Sequence, residues 1–297
     1  MHLHSTVFSQ PGKVLIHHIL VTIFVFGCTQ SDKISTEVSG TEPSVPQGHT
    51  KLPAEVDAAI QKEFPAAMPY GVAIDTLIRQ LFRYGIEPKD ILWGQSTCVD
   101  DIINTKDKLA NADIKGPFTF GGLAGLPFTG ITGVDAFAHH VPEEGTALLF
   151  VGPHIGYTAG EGWGKILRHG QHHSSSCCGA LYAALEKLKK GEIILATPSE
   201  DDYQEQVLEQ LALQHQEEVL QAPQPLVSLT RVVSREADRK ITEYAKRVRE
   251  RHFDYAVVVV AVIINTDYQF DDYLWIDHIA VKDIKADRWI ETQRQKP

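Results

Sequence analysis

YAVVVVAVII, residues 255–264, is valine, isoleucine and alanine behind one tyrosine and carries no charge. A strand with one wet face alternates polar and apolar residues. A run with no polar position has both faces covered, the habit of central strands in sheets packed by helices on two sides. Upstream, residues 147–152 (ALLFVG) read as a second buried strand with Pro153-His154-Ile155-Gly156 at its carboxyl end, and residues 90–97 as a short apolar run broken by Gly94. Helical spacing separates these runs. Residues 53–66, opening PAEVDAAIQKEF, and 71–86, GVAIDTLIRQLFRYGI, place apolar residues three and four apart, with Pro53 at a helix start and Gly85 near a helix end. Residues 180–190 form a further helix just behind Cys178-Gly179. Residues 199–221 begin with a capping serine and an acidic first turn and carry a Val/Leu stripe, and 235–252 form a charged helix. Residues 116–133, GPFTFGGLAGLPFTGITG, hold too many glycines for a helix and read as tightly packed loop and turn. Helices alternating with buried strands predict an α/β fold: a single domain with a mostly parallel central sheet flanked by helices.

The amino-terminal part has a different character. Residues 14–27, VLIHHILVTIFVFG, follow Lys13 and end at Cys28. The run falls short of the ~20 apolar residues of a membrane span and matches a signal-peptide core. Gly27-Cys28 looks like a bacterial lipoprotein cleavage site, so residues 1–28 are expected to be a signal and Cys28 a lipidated amino terminus, with the protein exported to the periplasm or cell envelope. An ordinary export signal or an uncleaved anchor is the alternative. Residues 29–52 are rich in Ser, Thr, Pro and Gly and form a flexible tether with little to bury. Residues 53–297 suffice for one large core and are short for two. A net charge of −10 and the lack of a Lys/Arg cluster argue against a nucleic-acid surface. Small molecules are the expected partners, with membrane contact only through the lipidated terminus.

Beyond Cys28 stand Cys98, Cys177 and Cys178, an odd set with two adjacent members, which makes a poor disulfide framework. Thiols in an oxidising compartment are better protected when a metal holds them as thiolates. Zinc takes Cys sulfur and His nitrogen in tetrahedral geometry, and a catalytic site uses three protein ligands and leaves the fourth position open. Cys98, at a strand-to-helix junction, His154 and Cys178 form such a set. Their separations do not match a local finger, and each has an ordinary reading: a buried cysteine acts as a small hydrophobe, and a histidine after a strand can simply bond backbone. His173 competes with His154 for the nitrogen position, and Cys177 with Cys178 for the second sulfur.

Five ordered motifs narrow the choice. GGLAGLPFTGITG (121–133), AFAHHVP (136–142), VGPHIG (151–156), SSSCCGA (174–180) and IINT (263–266) together resemble the limiting-CO2-inducible protein B/C family, similar in fold to β-carbonic anhydrases and including the θ-carbonic anhydrases. The resemblance covers roughly residues 60–285. It implies Zn2+ held by Cys98, His154 and Cys178, and a homodimer. Cys98-Val99-Asp100 reproduces the first half of the Cys-x-Asp-x-Arg motif of β-carbonic anhydrases, but Ile102 occupies the arginine position. Arg168, in KILRHGQ, is the candidate partner for Asp100.

The implied reaction is reversible hydration of CO2 to bicarbonate by zinc-bound hydroxide, with Asp100 accepting a hydrogen bond that orients the nucleophile. A helix N-cap is the other role open to Asp100. Leu123, Leu126 and Phe128 are available as an apolar pocket for CO2 or simply as core. His139, His140, His172 and His173 are candidate proton carriers, because histidine's ordinary pKa of about 6.5 suits exchange with buffer. Two rivals remain: a catalytically silent zinc protein of the same fold that binds CO2, bicarbonate or a partner, and a thiol redox or metal-binding protein using Cys177 and Cys178.

Overall fold

The computed structural model describes residues 51–103, 113–247 and 250–294. The leader, nearly all of the tether, and residues 104–112, where the helix expected behind Cys98 would run, lie outside the described residues. Among them, no helix is long and apolar enough to cross a membrane.

The strands are β1 (Met68–Pro69), β2 (Ile91–Thr97), β3 (Lys115–Thr119), β4 (Thr146–Gly152), β5 (His154–Thr158), β6 (Gly162–Trp163), β7 (Lys165–Ile166), β8 (Ser175–Ser176), β9 (Tyr255–Asn265), β10 (Tyr273–Asp283) and β11 (Arg288–Arg294). The helices are α1 (Ala54–Glu63), α2 (Tyr70–Leu81), α3 (Gly130–His139), α4 (Gly179–Lys190), α5 (Tyr203–Gln214), α6 (Gln216–Gln221) and α7 (Pro225–Arg247). The main sheet runs in the order β1-β10-β9-β4-β2-β3. Its centre, β3, β2, β4 and β9, is parallel, while β10 lies antiparallel to β9 and carries β1 and β11.

The valine run forms β9, and every residue from Ala256 to Asn265 is buried. Val257, Val259, Ala261 and Ile263 pack with Tyr70, Ile74 and Leu77 of α2 on one face. Val258, Val260, Val262 and Ile264 meet Val232, Val233 and Ile241 of α7 and Leu181 and Leu185 of α4 on the other. Each buried Val or Ile contributes about 1.5–3 kcal/mol. Both faces need such residues, which is why the run never alternates.

One irregularity places the site. The β4 strand pairs with β9 as far as Val151↔Val260, Pro153 interrupts, and β5 resumes along the same strand at His154↔Ile263. The Pro153 carbonyl keeps the ladder going by accepting the Ile263 N–H at 2.9 Å. His154 therefore enters the sheet at the carboxyl end of β4, where open α/β sheets place their ligands.

Three expectations need correction. The glycine-rich segment is not all loop: β3 occupies its start and α3 begins at Gly130. Among the described residues the β3 strand pairs only with β2, so it tolerates Pro117 and needs little apolar surface. Residues 199–221 form two helices broken at His215, and Asp202 rather than Ser199 precedes the first. Ser199 Oγ instead accepts the Asp202 N–H at 3.3 Å, and the break leaves Val219 fully buried. The charged helix begins ten residues earlier than expected, at Pro225. Its first turns are buried through Leu226, Val227 and Leu229, and Pro suits a first helical position.

Candidate metal centre

Three elements deliver three donors. Cys98 follows β2 directly, His154 opens β5, and Cys178 stands immediately before α4. A helix amino terminus favours a thiolate at that position. All three side chains are buried, and their donor atoms lie within 4.8 Å of one another. Two sulfurs each ~2.3 Å from a tetrahedral zinc stand about 3.8 Å apart. Cys98 Sγ and Cys178 Sγ are 3.8 Å apart.

The three donors shift one another's protonation. Hydrogen bonding from the Cys178 thiol brings Cys98 down to about 4 against the opposing effect of burial, while the same contact, together with burial, drives Cys178 up. Burial pushes His154 down, but the nearby sulfurs of Cys177, Cys178 and Cys98 outweigh it and raise the imidazole. His154 Nδ1 is 2.8 Å from Asn265 Oδ1, whereas Nε2 is buried and has no hydrogen-bond partner among the described residues. An orphaned imidazole nitrogen beside two sulfurs fits a soft divalent metal.

The competing donors lie elsewhere. His173 and His172 are exposed in the loop between β7 and β8. Cys177 is fully buried, with Sγ 3.5 Å from His154 Nδ1, the nitrogen engaged with Asn265.

Asp100 stands at the edge of the cluster, its Oδ2 3.9 Å from His154 Nε2. Arg168 donates to both of its oxygens, at 2.8 and 2.9 Å, and reaches Asp101 Oδ1 at 2.7 Å. Burial works to raise Asp100, yet the Arg168 hydrogen bonds prevail and hold the carboxyl down at about 2. Asp100 also accepts the Ile102 N–H at 3.4 Å, a turn-capping contact that coexists with the Arg168 pair. Arg168 is itself secured by Ser175 Oγ at 3.1 Å. Asp267 holds its loop by accepting from the Leu167 N–H and Thr158 Oγ1, both at 2.7 Å.

Glycines let the backbone close around the donors. A Cβ on Gly121 would lie 2.1 Å from the Thr97 carbonyl, next to Cys98, and one on Gly156 would lie 2.8 Å from Cys177 Cβ, next to Cys178. Leu126 and Phe128 belong to the same apolar cluster as Cys98 and Cys178. Leu123 instead uses its N–H to bond Gln204 Oε1 at 2.9 Å.

A cleft of about 500 Å³ reaches this region, with Tyr70, Arg168, His169, Asn265 and Tyr268 in its walls. His139 and His140, at the end of α3, and His172 and His173 line none of it. The histidine that does is His169, its ring edge-on to Tyr268 at 5.3 Å. Sequence reasoning passed over His169 and Asn265, although one follows Arg168 and the other lies within the IINT motif.

A family profile described as limiting CO2-inducible proteins B/C, beta carbonic anhydrases, matches residues 68–283. The chain belongs to the limiting CO2-inducible protein B/C family. Among solved structures it is similar to PtLCIB4, a homolog of the limiting CO2-inducible protein LCIB, at 26% identity over 79% of this chain and 98% of that one, with a TM-score of 0.71. It is also similar to LCIB itself at 18% identity over 77% of this chain and 96% of that one, with a TM-score of 0.59, a likeness of fold alone. No curated protein sequence matches it. Family membership agrees with the single α/β domain and with a Cys-His-Cys cluster able to take a metal.

Proposed function

We propose that this chain is a zinc-dependent carbonic anhydrase, converting CO2 and water reversibly to bicarbonate and a proton. The observation that carries the reading is the convergence of Cys98, His154 and Cys178 on one buried point beside a carboxylate that Arg168 keeps ionised. Zinc bound there supplies Lewis acidity that makes water a nucleophile near neutral pH, where bulk water has a pKa of about 15.7.

The protein's own groups do the rest. Cys98 Sγ, Cys178 Sγ and His154 Nε2 would hold the metal. Asp100 Oδ2 accepts a hydrogen bond from the attacking water and, being ionised, offers no proton in return. Arg168 takes over the task that Ile102 cannot perform. Leu126 and Phe128, of the apolar cluster that includes Cys98 and Cys178, would suit a substrate with no charge to grip. The proton leaves through the cleft past His169. Two further parts of the proposal rest on family membership and the leader: a homodimer, and export with lipid attachment at Cys28.

Stopped-flow CO2 hydration by the zinc-loaded full chain, beside Cys98→Ala, tests the reading. Fast hydration that disappears in the variant supports it. Stoichiometric zinc with no rate above buffer sinks the enzyme and leaves a silent zinc protein, while absence of bound zinc favours a thiol redox role.

A further inference from the structure

Asn265 ends β9 and is 1% exposed. The register sets His154 beside Ile263 and Gly156 beside Asn265, so His154 and Asn265 project from the same face of neighbouring strands. Asn265 Oδ1 is 2.8 Å from His154 Nδ1 and 3.6 Å from Cys177 Sγ. An amide oxygen only accepts, so both the imidazole N–H and the thiol donate to it. With the proton on Nδ1, Nε2 keeps its lone pair, and Nε2 is the nitrogen left without a partner. The opposite amide orientation would move the proton to Nε2 and close that nitrogen to a metal. We propose that Asn265 is a positioning residue of the metal centre: it fixes the tautomer of His154 and, by seating the Cys177 thiol on the same oxygen, keeps that sulfur out of the ligand set.

Two features separate this role from packing. Asn265 Nδ2 is buried with no hydrogen-bond partner among the described residues, a cost that an apolar residue of similar size would avoid. The acceptor is also neutral. Two thiolates already balance a divalent cation and Arg168 offsets Asp100, so an amide orients the imidazole without adding charge to a dry pocket.

The inference rests on the zinc reading above, and the test keeps the two apart. Zinc affinity of the metal-stripped full chain is measured by competition with a chromophoric chelator, and cobalt(II) substitution reports the sulfur ligands through thiolate charge-transfer bands. Asn265→Leu is expected to bind zinc about 10- to 100-fold more weakly, whereas Asn265→Asp, which keeps the acceptor, stays within about threefold of wild type or tightens. Cys177→Ala retains both the affinity and the two-thiolate cobalt spectrum. If Asn265→Leu does not fold, Asn265→Ala takes its place. The inference is overturned if the leucine variant matches wild type, if the leucine and aspartate variants weaken alike, or if Cys177→Ala loses thiolate intensity. A wild-type chain that binds no zinc fails the metal reading itself, and this inference with it.

Discussion

Arg168 grips Asp100 with two hydrogen bonds, at 2.8 and 2.9 Å, across 68 residues of sequence. The two side chains are only 17% and 15% exposed, so the pair is partly shielded from solvent and holds its geometry better than a surface ion pair. Removing the guanidinium leaves a half-buried carboxylate uncompensated next to the metal donors. Arg168→Ala is expected to lower kcat/KM for CO2 hydration by about 10- to 100-fold with zinc content unchanged. Arg168→Lys recovers only part of that loss, since an ammonium lacks the planar fork. Metal analysis alongside stopped-flow kinetics checks both, and full activity in Arg168→Ala would remove the pair from the mechanism.

Thiol chemistry reads the metal directly. Cys98, Cys177 and Cys178 are 7%, 0% and 1% exposed. In a Cys28→Ser background the zinc-loaded chain should react with an aromatic disulfide reagent only slowly. After chelation Cys98 should react first, as the least covered of the three. Equal rates with and without chelator would mean that no metal holds these sulfurs.

The two histidines that compete on spacing separate by mutation. His154→Ala is expected to weaken zinc binding by more than the roughly 100-fold typical of outer-sphere changes, because a ligand itself is gone. His173→Ala, in an exposed loop, should leave affinity where it was. The reverse pattern would move the nitrogen ligand to the loop.

Gly121→Ala tests the close backbone contact at Thr97. The added methyl meets the Thr97 carbonyl at 2.1 Å and the Thr97 nitrogen at 2.7 Å, neither of which can rotate away. Overpacking of this kind costs about 1–3 kcal/mol. Urea denaturation should show that loss, with weaker zinc binding from the displaced Cys98, while Gly71→Ala, where a Cβ has open space and φ is not positive, supplies the control.

Lipid attachment is checked by mass. The mature chain expressed in a bacterial host should begin at Cys28 with a diacylglyceryl adduct and sediment with membranes, and Cys28→Ser should release it to the soluble fraction. An unmodified Cys28 on an intact leader would replace this with a signal-anchor.

Physical demands that act along the chain were visible in the amino-acid sequence. A strand covered on both faces must be apolar at every position, so residues 255–264 declared themselves. Cys98, His154 and Cys178 were readable because they stand at strand ends and a helix start, places where local pattern and family motif coincide. The first half of α7 was missed because its buried residues lack the charges that mark the exposed half, and β10 because nothing in its sequence tells an antiparallel strand from the parallel centre.

Only tertiary structure decided how the donors are oriented. That Arg168 meets Asp100 depends on a loop tied down by Asp267, and that His154 Nδ1 is engaged depends on Asn265, 111 residues away. Hydrogen-bond direction and ion-pair geometry vary on the scale of an ångström. Sequence pattern reports which residues must be buried and not where their polar atoms point, so these choices are made only when distant strands and loops pack together.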